Sequence, residues 1–295
     1  MVARVIQPIF NKKLASDPYK SRNLAMQYIL AATLAVGMAI FWGKLDVSQY
    51  FGVIVIIGIF NAFACYAYWQ AIDISLSKTS LFTQGDDLIT LGLGFLILGE
   101  AKFLNWGLGI GILICLGSAA FFTYHKRSLA KQDDGAKVVD KANIKNEEGL
   151  FLYIAIYSII WGGAVFSMRY FALKGVTPLN YAAAWYFGAF LGAQIVYWIS
   201  EFKRDKNIAI PKFNFSNLIA VGRTVLCIYT SNLLFNWVTN LAPISATQPI
   251  DQVAEMVFPT IIGLCVFKEI KHIDLLSGLA MAIGLFGGLL IAFSY

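Results

Sequence analysis

Carboxylates and side-chain amides occur inside two long apolar stretches of this chain. The first stretch, Pro243 to Glu269, is hydrophobic enough for a bilayer, yet several of its polar side chains fall on one broad face of a helix: Gln248, Asp251, Gln252 and Glu255. An acid near the centre of a bilayer costs about 2.5–3.5 kcal/mol on insertion scales and usually faces a bundle interior or a watery cavity. We therefore expect this face to bind a substrate or a proton.

The first half of the chain contains a similar stretch, Ser77 to Glu100. When Glu100 is aligned with Glu269, Asp86 falls on Glu255 without a gap. Both stretches begin with polar residues and run apolar from the acid to the closing Glu. Such self-similarity indicates an internal repeat.

Gln84, Asp86 and Asp87 form a polar cluster near the start of this second stretch. Two adjacent carboxylates do not both ionise cheaply in a low-dielectric site, so proton or cation binding is the functional interpretation. The alternative is that both acids lie near the membrane interface and stay hydrated.

Three further residues of the second half are candidates for contact with a solute. Arg223 lies inside an apolar run, where it either neutralises an acid of the Pro243–Glu269 stretch or holds an anionic group of the solute. Tyr157 and Trp161 are one helical turn apart and suit a stacking wall for a flat or cationic solute, although aromatic residues are frequent in any membrane bundle and packing is the favoured explanation.

A polar seam also follows the segment 217–240, formed by Asn232, Asn236, Trp237 and Asn240. These side chains either contact a solute or form hydrogen bonds between helices. The sequence offers no basis for choosing between the two.

The composition places all of these residues in a membrane. Hydrophobic residues make up 58% of the 295 residues and charged residues only 14%, whereas a soluble domain carries about 25% charged residues. The net charge of +6 therefore reports membrane orientation, since the basic residues lie in loops, and it does not indicate nucleic-acid binding. We expect an all-α, multi-pass integral membrane protein, in the cytoplasmic membrane if the source is bacterial.

Hydropathy predicts apolar segments that are each long enough to cross a bilayer: 24–43, 51–72, 79–98, 104–123, 150–172, 180–199, 217–240, 244–267 and 273–294. The polar segment 124–148 is predicted to be a linker, which separates a first repeat at 1–123 from a second repeat at 149–295. Residues 4–14 correspond to the end of a helix at 150–174, so the first helix is predicted to be truncated in this chain. An intact plan would have two repeats of five helices, and an odd number places the repeats in opposite orientations.

The chain resembles the EamA-like family of the drug/metabolite transporter superfamily. The resemblance is carried by Leu98-Gly99-Glu100, by its counterpart Phe267-Lys268-Glu269, and by the glycine-rich helix that follows each. Asp86 and Glu255 match the family's acid in the fourth helix of each repeat, while Asp87 and Met256 replace the Pro that commonly follows it. The resemblance covers nearly the whole chain and implies ten helices in two inverted repeats.

The expected function is secondary active transport of a small solute, an amino acid-like metabolite or a drug. Export is preferred and proton coupling is allowed for, while the oligomeric state, including a homodimer, stays open. No cofactor and no metal are expected. The alternative is a metal-dependent intramembrane enzyme that transfers lipid or prenyl groups, for which Asp86 and Asp87 lack a third acid one turn later.

Overall fold

A computed structural model describes most of the chain. The described residues are 2–47, 49–83, 85–99, 138–205, 215–241 and 275–294, with scattered positions in 106–124 and at 243, 244 and 262. The predicted spans 104–123 and 244–267 therefore lie largely or almost wholly outside the described residues.

In this part of the chain the ordered elements are helices and no strand occurs. They are α1 Val2–Ala15, α2 Lys20–Phe41, α3 Phe51–Ile74, α4 Leu76–Phe82, α5 Gly85–Ile97, α6 Val138–Leu173, α7 Pro178–Asp205, α8 Phe215–Leu241 and α9 Leu275–Phe293.

Five of the described helices are long and apolar enough to cross a membrane. They comprise α2, α3, residues 149–173 of α6, residues 178–202 of α7 and residues 218–241 of α8. This agrees with the predicted all-helical, multi-pass membrane protein. The helix α6 begins at Val138, inside the predicted linker 124–148, so the last part of that polar segment is helical.

The predicted span 79–98 is two helices rather than one. The first, α4, is capped at its N-terminus by Ser75, whose hydroxyl accepts a hydrogen bond from the Lys78 amide at 3.3 Å. It ends at Phe82, and α5 begins at Gly85. Neither helix alone reaches the length of about 20 residues that a crossing requires, so this segment is a broken helix.

The centre of the bundle is the crossing of α3 with α7. Here Gly58, Gly188 and Gly192 lie so close to the opposite backbone that an added Cβ atom would overlap the carbonyl oxygens of Trp185, Val55 and Ile59 respectively. Small residues at such crossings let membrane helices approach closely and gain van der Waals contact. The first and second halves of the chain are therefore interleaved, because α2 and α3 pack mainly on α7 and much less on each other.

Contacts at the two ends of the bundle fix the direction of each helix. At one end the Lys20 ammonium pairs with the Asp73 carboxylate at 2.7 Å, joining the start of α2 to the end of α3. At the other end Asn180, at the start of α7, exchanges hydrogen bonds of 2.9 and 3.1 Å with the Asp46 backbone beyond the end of α2. Consequently α2 and α7 run in opposite directions.

The helices of the first half pack in the same pattern as the helices of the second half, and we call this equivalence the exchange relation. When α1 is swapped with α6, α2 with α7 and α3 with α8, every packed pair among these helices becomes a packed pair, and the pair of α2 with α7 maps onto itself. For example, α3 on α7 becomes α8 on α2, and α3 on α6 becomes α8 on α1.

A candidate solute cavity between the two halves

A cavity lies where helices of both halves meet. It is lined by residues of α1, α2, α3, α4, α6, α7 and α8 and offers about 80 Å³ to water molecules. A site needs roughly 10–15 Å³ of such space for each water, so the cavity holds several waters or a small solute. None of the lining residues that the structure describes has a charged side chain.

Three buried polar atoms in the lining have no hydrogen-bond partner in the described structure. They are Asn11 Oδ1 on α1, Asn61 Oδ1 on α3 and Ser80 Oγ on α4. Asn11 is 2% exposed, and Asn61 and Ser80 are each 4% exposed. Buried polar atoms in proteins are nearly always paired with protein, water or ligand, so we expect a water or a solute in the cavity to bond to these three atoms.

Other polar groups of the lining are held in place by hydrogen bonds. Asn61 Nδ2 donates to the Tyr28 hydroxyl at 3.2 Å, which turns the amide oxygen of Asn61 away from that bond. Asn232 Nδ2 donates to the Tyr186 hydroxyl at 3.1 Å and joins α8 to α7. Both amides therefore have a fixed orientation at the cavity wall.

Aromatic rings form another part of the wall. Tyr157 and Trp161 on α6 are stacked, with ring centroids 6.0 Å apart and 12° between their planes. Tyr68 of α3 extends this row, with its ring centroid 4.9 Å from that of Tyr157. All three line the cavity, where their π-faces attract cations and flat groups.

The broken helix supplies the cavity with Ser80 and Thr83. Ser158 on α6 donates a hydrogen bond to the Thr83 carbonyl at 3.3 Å, next to the break. Transporters commonly build their solute sites from such discontinuous helices, because the unwound backbone leaves polar groups near the middle of the membrane.

Asp86 and Asp87 lie beside the cavity and not in its described lining. They occupy the first turn of α5 and are 5% and 7% exposed. Asp86 Oδ1 accepts a hydrogen bond from the Asp87 amide at 3.0 Å, a favourable place for a carboxylate at the positive end of a helix dipole. Thr90 Oγ1 contacts both the Asp86 carbonyl at 2.8 Å and the Gly162 carbonyl at 3.0 Å, so these acids sit at the contact between α5 and α6.

The remaining predicted residues divide into three groups. Tyr157 and Trp161 lie in the cavity wall. Arg223 lies on α8 with an exposed side chain and does not belong to the described lining. The others lie outside the residues that the structure describes: Gln84, Gln248, Asp251, Gln252 and Glu255.

Of the two roles that the sequence left open for the polar seam of α8, hydrogen bonding between helices is observed at Asn232, which donates to Tyr186 of α7, and contact with a solute stays a prediction. Asn232 lines the cavity. Asn240 Nδ2 instead donates to the Asn236 carbonyl at 2.7 Å and to Asn236 Oδ1 at 3.0 Å within the same helix. Trp237 is exposed at the surface of the bundle.

Several lining residues were not predicted from the sequence. Asn61 is an isolated amide within the apolar run of α3, and a polar residue at such depth is a signal for a functional position. Asn11 lies in α1, which is too short to be predicted as a membrane-spanning helix. Tyr186 is one of several aromatic residues on α7, and its sequence position gives no sign that it faces the cavity.

Among the described residues, no three His, Cys, Asp or Glu side chains converge as a group that could hold a metal ion. A comparison with protein-family models finds no match, and neither does a comparison with curated proteins.

Proposed function

We propose that this protein is a secondary transporter that carries a small polar solute through the cavity between its two halves. The proposal rests mainly on one observation: Asn11, Asn61 and Ser80, on three different helices, line a single cavity, and each has a buried side-chain oxygen without a partner in the described structure. The proposed solute is an amino acid-like metabolite or a drug, and the proposed direction is export.

The proposed architecture is a pair of inverted five-helix repeats of the EamA-like type. The exchange relation among the helices supports this plan, since α1, α2 and α3 take the places of α6, α7 and α8. The opposite directions of α2 and α7 also support it, because the repeats of an inverted pair run in opposite senses across the membrane.

An inverted pair suggests how the solute moves. The cavity lies between the halves, so rocking of one half against the other opens it first to one side of the membrane and then to the other. Ser80 and Thr83 belong to the broken helix, where a change of angle between α4 and α5 requires only a few backbone torsions to change.

Proton coupling is a further part of the proposal, with Asp86 and Asp87 as its residues. They are buried at the contact of α5 with α6, next to the break and outside the described lining. A proton taken up there changes the charge at a helix contact and leaves the solute site untouched. Coupling and solute binding would then be separable by mutation.

The test is a metabolite profile of the medium and cytosol of cells that produce the wild type, Trp161→Ala or Trp198→Ala at equal membrane levels. Trp161 lines the cavity, whereas Trp198 on α7 is exposed at the bundle surface. We expect a solute that accumulates in the medium with the wild type and Trp198→Ala but not with Trp161→Ala. Identical profiles for all three would contradict export through this cavity.

A further inference from the structure

We infer that the cavity selects an uncharged or singly cationic solute with at least two N–H or O–H donors next to a flat apolar group, and that it rejects anions. This inference rests on the proposed function and adds the class of solute: it narrows the proposed solutes to drugs and to metabolites that carry no free carboxylate.

The polar side of the cavity is rich in acceptors. Asn61 donates its Nδ2 to Tyr28, and its Oδ1 has no partner in the described structure. The Oδ1 of Asn11 also has no partner there. The Ser80 hydroxyl can rotate and accept as well as donate. Desolvated acceptors lose free energy unless a donor reaches them, so a solute that displaces the cavity water must bring its own donors. Because the acceptors lie on α1, α3 and α4, we expect the solute to have at least two donor groups.

The aromatic side of the cavity determines what lies next to those donors. The stacked rings of Tyr157 and Trp161, together with Tyr68, form a π-surface that suits a flat apolar group or a delocalised cation. A carboxylate or phosphate suits neither side. In the described lining it would face amide oxygens and ring faces, both of which carry partial negative charge, and hydroxyl groups would be its main donors. It also has no proton of its own to donate to the amide oxygens.

The experiment uses four flat probes of nearly equal size. Benzamidine is a cation with several N–H donors, and benzamide is neutral with two. Benzoate is an anion without donors, and methyl benzoate is neutral without donors. Equilibrium dialysis of the purified full chain in detergent measures the Kd of each probe, and empty micelles correct for partitioning.

We expect benzamidine and benzamide to bind at least about tenfold more tightly than benzoate and methyl benzoate, which is about the effect of one or two hydrogen bonds to a solute. Asn61→Leu should weaken benzamide about tenfold, and Ser80→Ala should weaken it severalfold. Ser231→Ala is the matched control, since its hydroxyl is buried but bonds within its own helix to the Ile228 carbonyl at 3.1 Å. Asn61→Asp should raise the preference for benzamidine over benzamide.

Benzoate binding as tight as benzamide, or no binding of either donor probe, would overturn the inference. Unchanged Kd values in Ser80→Ala and Asn61→Leu would do the same, and Ser80→Ala serves even if Asn61→Leu fails to fold. Failure of the proposed function looks different. In that case the probes bind in the expected order but no solute crosses a membrane. If an anion is transported and the probes do not bind in the expected order, the inference about the solute class is refuted and the proposed transport function is retained.

Discussion

Neighbouring glycines on α6 allow a sharp test of how the broken helix is held. A Cβ atom added at Gly162 would lie 2.6 Å from the Asp86 carbonyl oxygen and 2.9 Å from Ile89 Cβ, both on α5. A Cβ atom added at Gly163 would meet nothing within 4 Å. Replacement of either glycine by Ala gains about the same helix propensity, up to roughly 1 kcal/mol, so this gain cancels when the two variants are compared.

The difference between the variants is therefore the cost of overpacking at the contact of α5 with α6. The Asp86 carbonyl is part of a helix backbone and cannot rotate away, so α5 must move by several tenths of an ångström. Overpacking of this kind typically costs about 1–3 kcal/mol. We expect Gly163→Ala to be at least as stable as the wild type and Gly162→Ala to be less stable than Gly163→Ala by that amount.

The assay is thermal denaturation of both variants in the same detergent, followed by loss of the monodisperse peak in size-exclusion chromatography. For a chain of this size, 1 kcal/mol corresponds to roughly 2 °C in Tm, so a separation of about 2–6 °C is expected. Equal Tm values for the two variants would refute the close contact of α5 with α6 and the position of Asp86 beside Gly162.

Three more predictions concern residues at different depths of the bundle. Thr90→Val should lower the free energy of unfolding by about 0.5–1.5 kcal/mol because it removes the hydrogen bond from Thr90 Oγ1 to the Gly162 carbonyl, whereas Ser80→Ala should not lower it; thermal denaturation compares the two. A double-mutant cycle on Lys20 and Asp73 should give a coupling free energy of at most about 1 kcal/mol, since both side chains are partly exposed. A larger coupling free energy would indicate that this ion pair is shielded from water. Asp87→Asn should abolish accumulation driven by a pH gradient in proteoliposomes and preserve solute exchange; loss of both would place Asp87 in solute binding.

Hydropathy predicted the five spans that the structure shows, because membrane crossing depends on length and apolarity, which are local properties of the sequence. The predicted segment 51–72 is observed as Phe51–Ile74, and 217–240 as Phe215–Leu241. The break between Phe82 and Gly85 was not predicted, because the sequence has no Pro there to indicate a helix break. The helix α4 nonetheless ends at Phe82 and α5 begins at Gly85, and the Thr83 carbonyl accepts a hydrogen bond from Ser158 of α6.

The candidate site was predicted only in part. Tyr157 and Trp161 were identified because aromatic residues one turn apart share a helix face, which is also a local property. The expected binding of a proton or cation by Asp86 and Asp87 stays a prediction, and neither acid belongs to the described lining. Asn11 and Asn61 are separated by fifty positions in the sequence, so their convergence depends on the packing of α1 on α3 and could not be found from spacing.

The most direct test of the central claim is counterflow in proteoliposomes, which requires no knowledge of the coupling ion or of the direction of transport. Liposomes that contain the purified full chain and are loaded with unlabelled benzamidine are diluted into a trace of labelled benzamidine. A carrier with an alternating cavity predicts transient uptake of label with the wild type and with Ser231→Ala, and strongly reduced uptake with Asn61→Leu. Uptake no greater than in protein-free liposomes, although benzamidine binds in detergent, would contradict transport through the cavity.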